Sequence, residues 1–309
     1  MRVVALDEIR AALDEDVALA AIERSFRRFH AGEAQVAAVG HLALADPPGD
    51  CHVKSAHLTG DDVFVVKVAT SFYRNPARGI PSSNGFMAVM SAHTGEILAI
   101  LHDEGQLTDQ RTAMAGAIAA RAIARGGSAT LGVIGAGTQA RLQCKLIARV
   151  LGLKRLLVWA RDTERATAFA AQVNAVAVQL PELCAQADLI VTTTPSTQPI
   201  LMNDMIRPGT RIIAVGADSP GKQELDTRLL ARARIVVDSR TQCVDHGEAG
   251  WAVRAGLVAS EALIELGALL QTPIDFPDHE IVIADLTGVA IQDVEIAKCV
   301  WHHLATRRA

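Results

Sequence analysis

The stretch that decides the fold is Leu131-Gly132-Val133-Ile134-Gly135-Ala136-Gly137-Thr138-Gln139-Ala140. Residues 131–134 read as a short aliphatic strand, and a Gly-x-Gly-x-x-Ala turn follows at once. Leu142, Leu146 and Val150 then recur at the spacing of one buried helix face. In a strand–turn–helix unit each small residue has a physical reason. Gly135 permits the tight turn, and Gly137 removes a side chain so that a pyrophosphate can approach the backbone. Ala140 lets helix and strand pack closely, and the helix N-terminus, opened by Thr138 and Gln139, faces the phosphate charge. These five residues are candidate cofactor contacts.

Downstream the rhythm stays strand, helix, strand. Aliphatic segments at 156–159, 176–178, 189–191, 212–215, 235–237 and 281–283 are each closed by polar or Gly/Pro punctuation, with helical stretches between several of them. That alternation predicts a parallel sheet wound on both faces. The cofactor is then NAD(H) or NADP(H), and the end of the second strand should choose between them. There the sequence offers both Arg161, suited to a 2′-phosphate, and Asp162, suited to a ribose hydroxyl.

Upstream the texture differs. Residues 16–31 predict an amphipathic helix with Ile22, Phe26 and Phe29 on one face. Residues 36–102 break into β-like segments, including 63–69, 86–90 and 97–101, the last two joined by His93-Thr94-Gly95-Glu96 as a hairpin. An Ala-rich helix follows Thr108, runs to about residue 125 and stops at Gly126-Gly127. The fold class is therefore α/β: a Rossmann doubly wound parallel sheet plus a mixed, largely antiparallel α+β domain.

Composition narrows the function. The 309 residues carry a formal charge of −4 and only 4% aromatics. No basic field is available for nucleic acid, and no apolar run approaches the roughly 18 residues of a membrane span. Cys51, Cys144, Cys184, Cys243 and Cys299 are scattered, which makes neither a disulfide framework nor a zinc site. The ten histidines suggest no metal set. With no signal-peptide core at the start, the expectation is a cytoplasmic protein.

The whole chain resembles the ornithine cyclodeaminase/mu-crystallin family. The likeness rests on ordered motifs: Val66-Lys67-Val68, Arg78-Gly79-Ile80-Pro81, Leu107-Thr108-Asp109-Gln110-Arg111-Thr112-Ala113 and the glycine turn. It continues through Val215-Gly216-Ala217-Asp218-Ser219-Pro220-Gly221-Lys222-Gln223-Glu224-Leu225 and Asp285-Leu286-Thr287-Gly288-Val289-Ala290-Ile291-Gln292-Asp293. The resemblance implies a substrate-binding and dimerisation domain, 1–112 with 285–309, around a Rossmann domain, 113–284. It also implies a homodimer and a small imino or amino acid as substrate.

Three residues invite chemistry on their own terms and are given roles by the resemblance. Arg111, expected in the first turn of the helix begun by Thr108, can seat a carboxylate beside free backbone N–H groups. Lys67 interrupts an aliphatic strand, so its burial would demand a partner and lower its pKa. Asp218 follows the 212–215 strand at the edge where α/β sheets bind ligands. In the family these positions hold the substrate carboxylate, assist the proton steps and stabilise an iminium, respectively. Where relatives commonly have an arginine on an early strand, this chain has His41, and the neighbouring strand carries Lys54. Lys54 either takes over that role or meets a second acidic group, as on iminosuccinate. Thr194-Pro195 and Val215 border the cofactor, and Gly288-Val289 approach its nicotinamide.

Three functions are compatible with this reading. The first is an NAD(P)H-dependent imine reductase or amino-acid dehydrogenase acting on a cyclic ketimine or iminosuccinate type of substrate. The second is an ornithine-type cyclodeaminase with tightly bound NAD. The third is an NADP-loaded binding protein of the mu-crystallin sort.

Overall fold

The computed structural model describes residues 1–72 and 74–306. The chain divides into two compact units, Met1–Arg111 with Val289–Ala309, and Thr112–Gly288.

The first unit opens with β1 (Arg2–Val4), α1 (Leu6–Ala12) and α2 (Glu15–His30). Asp14 starts α2 by accepting from Asp16 N and Val17 N at 3.0 and 3.1 Å, satisfying donors the helix cannot pair itself. Six more strands follow: β2 (Ala34–Val36), β3 (Gly40–Ala45), β4 (Pro48–Leu58), β5 (Val63–Ser71), β6 (Ser83–Ser91) and β7 (Ile97–Leu101). They pair in the order β1-β7-β6-β5-β4-β2, with β3 on the first half of β4; only β1–β7 is parallel. The β6–β7 turn is held by Ser91, whose Oγ accepts from His93 N and Thr94 N, while Gly95 supplies φ 75°.

Alternation along these strands sorts one face inward. Val63, Val65 and Lys67 of β5 are buried, and their cross-strand neighbours Lys54 and Ala56 on β4 and Met87 and Val89 on β6 are buried too. The C-terminal helix Ala290–Thr306 packs on α2, β4 and β5. Its residues from Ala290 to Ala297 are all buried, among them the polar Gln292, Asp293 and Glu295. So much buried polarity on a packed helix demands partners.

The helix α3 (Gln106–Ile123) carries the chain into the second unit. It starts two residues before Thr108, because Asp103 Oδ2 accepts from Leu107 N at 2.8 Å and ends the preceding loop there. The second unit is built on β8 (Thr130–Ile134), α4 (Thr138–Leu151), β9 (Arg155–Trp159), α5 (Thr163–Gln172) and β10 (Val176–Ala177). It continues with α6 (Leu180–Gln186), β11 (Leu189–Thr192), β12 (Thr197–Leu201), β13 (Arg211–Ala214), β14 (Gln223–Leu225), α7 (Thr227–Ala231) and β15 (Arg234–Val237). Last come α8 (Arg240–His246), α9 (Glu248–Arg254), β16 (Ile264–Glu265), α10 (Leu266–Gln271) and β17 (Val282–Asp285).

Eight strands form one parallel sheet in the order β10-β9-β8-β11-β13-β17-β15-β16. The central strands are buried on both faces, which is why they read as unbroken aliphatic runs. The order reverses at β8, the switch point where such sheets bind ligands. Two features were not visible beforehand. The last strand, β17, inserts between β13 and β15, and β12 pairs β14 in a separate two-stranded sheet. No helix of the described residues is long and apolar enough to cross a membrane.

Phe26 of α2 is fully buried. Phe26→Ala should cost about 3–5 kcal/mol, read as a lower urea midpoint with an unchanged slope.

Candidate active site

In the first unit, register builds a cluster of charge. Lys54 on β4 lies directly opposite Lys67 on β5, and both are buried, at 5% and 2% exposure. Two like charges side by side on a sheet repel, and burial makes each costlier. The compensation comes from Asp293 on the C-terminal helix. Lys67 Nζ sits 3.1 Å from its Oδ1 and 2.9 Å from its Oδ2.

Arg111, on the second turn of α3, brings its Nε to 3.0 Å from Asp293 Oδ1. That contact is an ion pair without the alignment of a hydrogen bond. The guanidinium donates instead from Nη1 to Gln292 Oε1 at 3.0 Å. Because arginine can only donate, this bond fixes the Gln292 amide, and Nε2 is left as a buried donor with no acceptor among the described residues.

The electrostatics follow. Burial pushes the Lys67 ammonium down to about 7; the charges of Arg111 and Lys54 push the same way, and Asp293 opposes them. Burial works to raise the Asp293 carboxyl, yet Lys67, Arg111 and Lys54 outweigh it and hold it below its ordinary value. Asp103, also buried, is raised by desolvation despite the field of Lys67. Lys67 and Arg111 share one carboxylate, and Arg111 Nε and Gln292 Nε2 are buried N–H groups with no hydrogen-bond acceptor among the described residues. The arrangement suits a carboxylate and offers a lysine poised to exchange a proton near neutrality.

In the second unit the glycine turn has the shape that a dinucleotide needs. Gly135 adopts φ 123°, and a Cβ there would lie 2.4 Å from Thr193 Oγ1. Gly137 is the N-cap of α4 and has no side chain to cap it. A Cβ on Gly137 would meet nothing within 4 Å, so the opening beside the helix N-terminus would be partly filled by any larger residue. Ala140 is buried against the sheet. These features fit a bound pyrophosphate held by Gly135, Gly137 and the backbone of Thr138, Gln139 and Ala140.

The neighbouring strand ends are fastened from inside by carboxylates. Glu224, fully buried, accepts from Thr192 Oγ1, Thr194 N and Thr194 Oγ1 at 2.7 Å each, and from Gly216 N at 2.9 Å. Gly216 must be glycine, since a Cβ would lie 2.2 Å from Thr194 O. Asp238 accepts from Gly288 N at 2.7 Å and from Thr287 Oγ1 at 3.0 Å. Burial raises Glu224 and takes Asp285 up to about 7.

The residues singled out in the sequence thus fall into two groups. Lys54, Lys67 and Arg111 come together. Arg111 is not in the first turn of its helix, because the earlier start places it where backbone N–H groups are already paired; its donors are those of the guanidinium. Gly135, Gly137, Thr138, Gln139, Ala140, Thr194, Pro195, Val215 and Gly288 lie at the C-terminal edge of the second unit's sheet or in the turns leaving it. Val215 lies just past β13, and Val289 begins the return to the first unit.

Asp162 is the N-cap of α5, its Oδ1 accepting from Arg165 N at 3.0 Å, and Arg161 beside it is exposed. Asp218, in the loop after β13, is half-exposed and paired with Lys222 Nζ at 2.5 Å. Sequence reasoning missed Asp293, Gln292 and Glu224. The signal for Asp293 was available: a buried strand lysine needs an acid, and Gln292-Asp293 interrupts the apolar start of the last helix.

The chain was then compared with known proteins. The family model described as "Ornithine cyclodeaminase/mu-crystallin family" matches residues 2–307. The alanine dehydrogenase of Archaeoglobus fulgidus is 35% identical over 308 residues, spanning 97% of this chain and 94% of that one. Among solved structures, an archaeal alanine dehydrogenase dimer with bound NAD superposes with a TM-score of 0.92 at 33% identity, covering 100% of this chain and 97% of the other. The iminosuccinate reductase of Paracoccus denitrificans in complex with NAD+ gives 0.89 at 32% identity, over 99% and 97%.

Removing Asp293 while leaving Lys67 should be costly. Asp293→Asn is expected to lose about 3–5 kcal/mol of stability. Adding Lys67→Met should restore part of it, a coupling that equilibrium denaturation of the two single variants and the double variant measures directly.

Proposed function

The chain belongs to the ornithine cyclodeaminase/mu-crystallin family, and on that premise we propose that it is an NAD(P)H-dependent imine reductase or amino-acid dehydrogenase acting on a small α-imino acid. The observation that carries the reading is the buried cluster of Lys54, Lys67 and Arg111 around Asp293. Lys67 and Arg111 share the one carboxylate of Asp293, a buried pair of cations that an anionic ligand stabilises, and an α-carboxylate is the anion that every α-imino acid carries. The glycine turn supports the second component, a reduced nicotinamide dinucleotide, which supplies the hydride when bound.

In this proposal Arg111 and Lys67 fix the carboxylate and so orient the imine carbon. Lys67, near its midpoint at neutral pH, holds or releases the proton at the imine nitrogen. Asp218, paired with Lys222, is the acid that the family resemblance assigns to the iminium charge. Lys54 extends the cationic row and favours a substrate with a second acidic group. Run backwards, the same steps are oxidative deamination. We also propose a homodimer joined through the outward face of the first unit's sheet, where Leu42, Leu44 and Val53 are exposed apolar residues on adjacent strands. Light scattering should give twice the chain mass, and Leu42→Asp should lower it.

The functional test is oxidation of NADH and of NADPH, followed with cyclic ketimines and with 2-oxo acids plus ammonia. Ammonia-dependent turnover is expected, falling about 10- to 100-fold in kcat/KM in Arg111→Met. Ammonia release from a diamino acid with no net cofactor change would instead identify a cyclodeaminase, and tight dinucleotide binding without any turnover would identify a binding protein. Lys54→Met separates its two roles: a KM raised for dicarboxylic substrates alone means a second acidic group, whereas a rise for all means a shared carboxylate.

The pH dependence has a definite sign. Lys67 is largely neutral above about 7, and a bound carboxylate favours its charged form. Binding of a carboxylate ligand above that pH should therefore take up a proton and weaken by up to about tenfold per pH unit. Calorimetry in buffers of different ionisation enthalpy reads the uptake, and Lys67→Met should abolish it.

A further inference from the structure

The proposed function assigns no role to a group of side chains that includes His41. On the ribbon formed by β3 and the first half of β4, the exposed His41 and the largely buried His52 are direct cross-strand partners. Their rings lie 4.7 Å apart between centroids, tilted by 55°. Asp50 stands two residues before His52 on β4, hence on the same face, with its Oδ1 3.7 Å from His52 Nε2. One donor atom from each of the three lies within 4.8 Å of the others.

We propose that His41, Asp50 and His52 form a binding site for a divalent transition-metal ion of the zinc type. The donor set is two imidazoles and one carboxylate, which suits zinc, cobalt, nickel or copper and is poor for magnesium or calcium. Three protein ligands leave one position of a tetrahedral ion open to water. The spacing is a property of the sheet. A cross-strand pair has Cβ atoms about 5 Å apart, and the i, i+2 step adds a third side chain on the same face about 7 Å along. Small rotamer changes can then close three donors on one ion.

The carboxylate is what selects a cation over an anion. Two histidines alone would serve a phosphate or carboxylate equally well, but Asp50 among them repels any anion. Lys54 lies two residues beyond His52 on the same face and opposes a cation; Asp50 offsets it from inside the group. The ion would tie β3, an edge strand exposed along its whole length, to β4.

The test uses the full chain without a histidine tag, treated with chelator and titrated with Zn2+ by calorimetry and with Co2+ by visible absorption. One ion per chain is expected, with micromolar or tighter affinity, a cobalt spectrum of low coordination number and a raised Tm in zinc. His41→Ala and His52→Gln should each weaken binding by about tenfold or more and abolish the Tm shift. His93→Ala, which removes an exposed histidine paired with Asp62, should change nothing. Saturation only at millimolar metal, or unchanged binding in the His41→Ala/His52→Gln double variant that keeps its fold by circular dichroism, would overturn the proposal.

Discussion

The first unit depends on a single carboxylate placed where a sheet would otherwise be untenable. Two lysines opposite each other on adjacent buried strands, with an arginine above them, form an arrangement that neither hydrophobic burial nor hydrogen bonding to the backbone can tolerate alone. Asp293 makes it tolerable, and only because the C-terminal helix delivers it to the inner face of β4 and β5. The balance is deliberately incomplete. Burial, with Arg111 and Lys54 beside it, leaves Lys67 close to its midpoint, and Gln292 keeps a donor with no acceptor among the described residues. In the proposed function, the charge that makes the cluster tolerable also sets its affinity for a ligand.

Much of the fold was legible. Short aliphatic strands with glycine punctuation carry the parallel sheet, because strands buried on both faces leave no room for alternation. The glycine turn was legible because Gly135 has a strict backbone demand, a positive φ against Thr193, and because a bare Gly137 leaves the helix N-terminus open to a phosphate. The oddness of Lys67 within Val65-Val66-Lys67-Val68 was also visible, since burial and charge conflict in any context.

What was hidden is register and partnership. Nothing local says that Lys54 faces Lys67, or that an aspartate 226 residues away pairs with the latter. The start of α3 was misplaced by two residues because Asp103, not Thr108, holds the first turn. Glu224 looked like an ordinary strand residue, yet it fastens two loops by four hydrogen bonds from beneath. The histidines looked scattered because His41 and His52 are brought together only by strand pairing. Each miss concerns a contact between segments, where periodicity and spacing carry no information.

The composition of the first unit has a consequence for how the protein is made. Its strands and its first long helix are translated before the second unit, and the helix that covers them is translated after it. Until that helix arrives, Lys67 lacks Asp293 and the inner face of the sheet stays uncovered while the whole second unit is translated and can fold first. The first unit is therefore exposed to aggregation and to chaperones while the second unit is being made. A chain cut before Ala290 would keep the glycine turn of the second unit and lose Asp293 from the first.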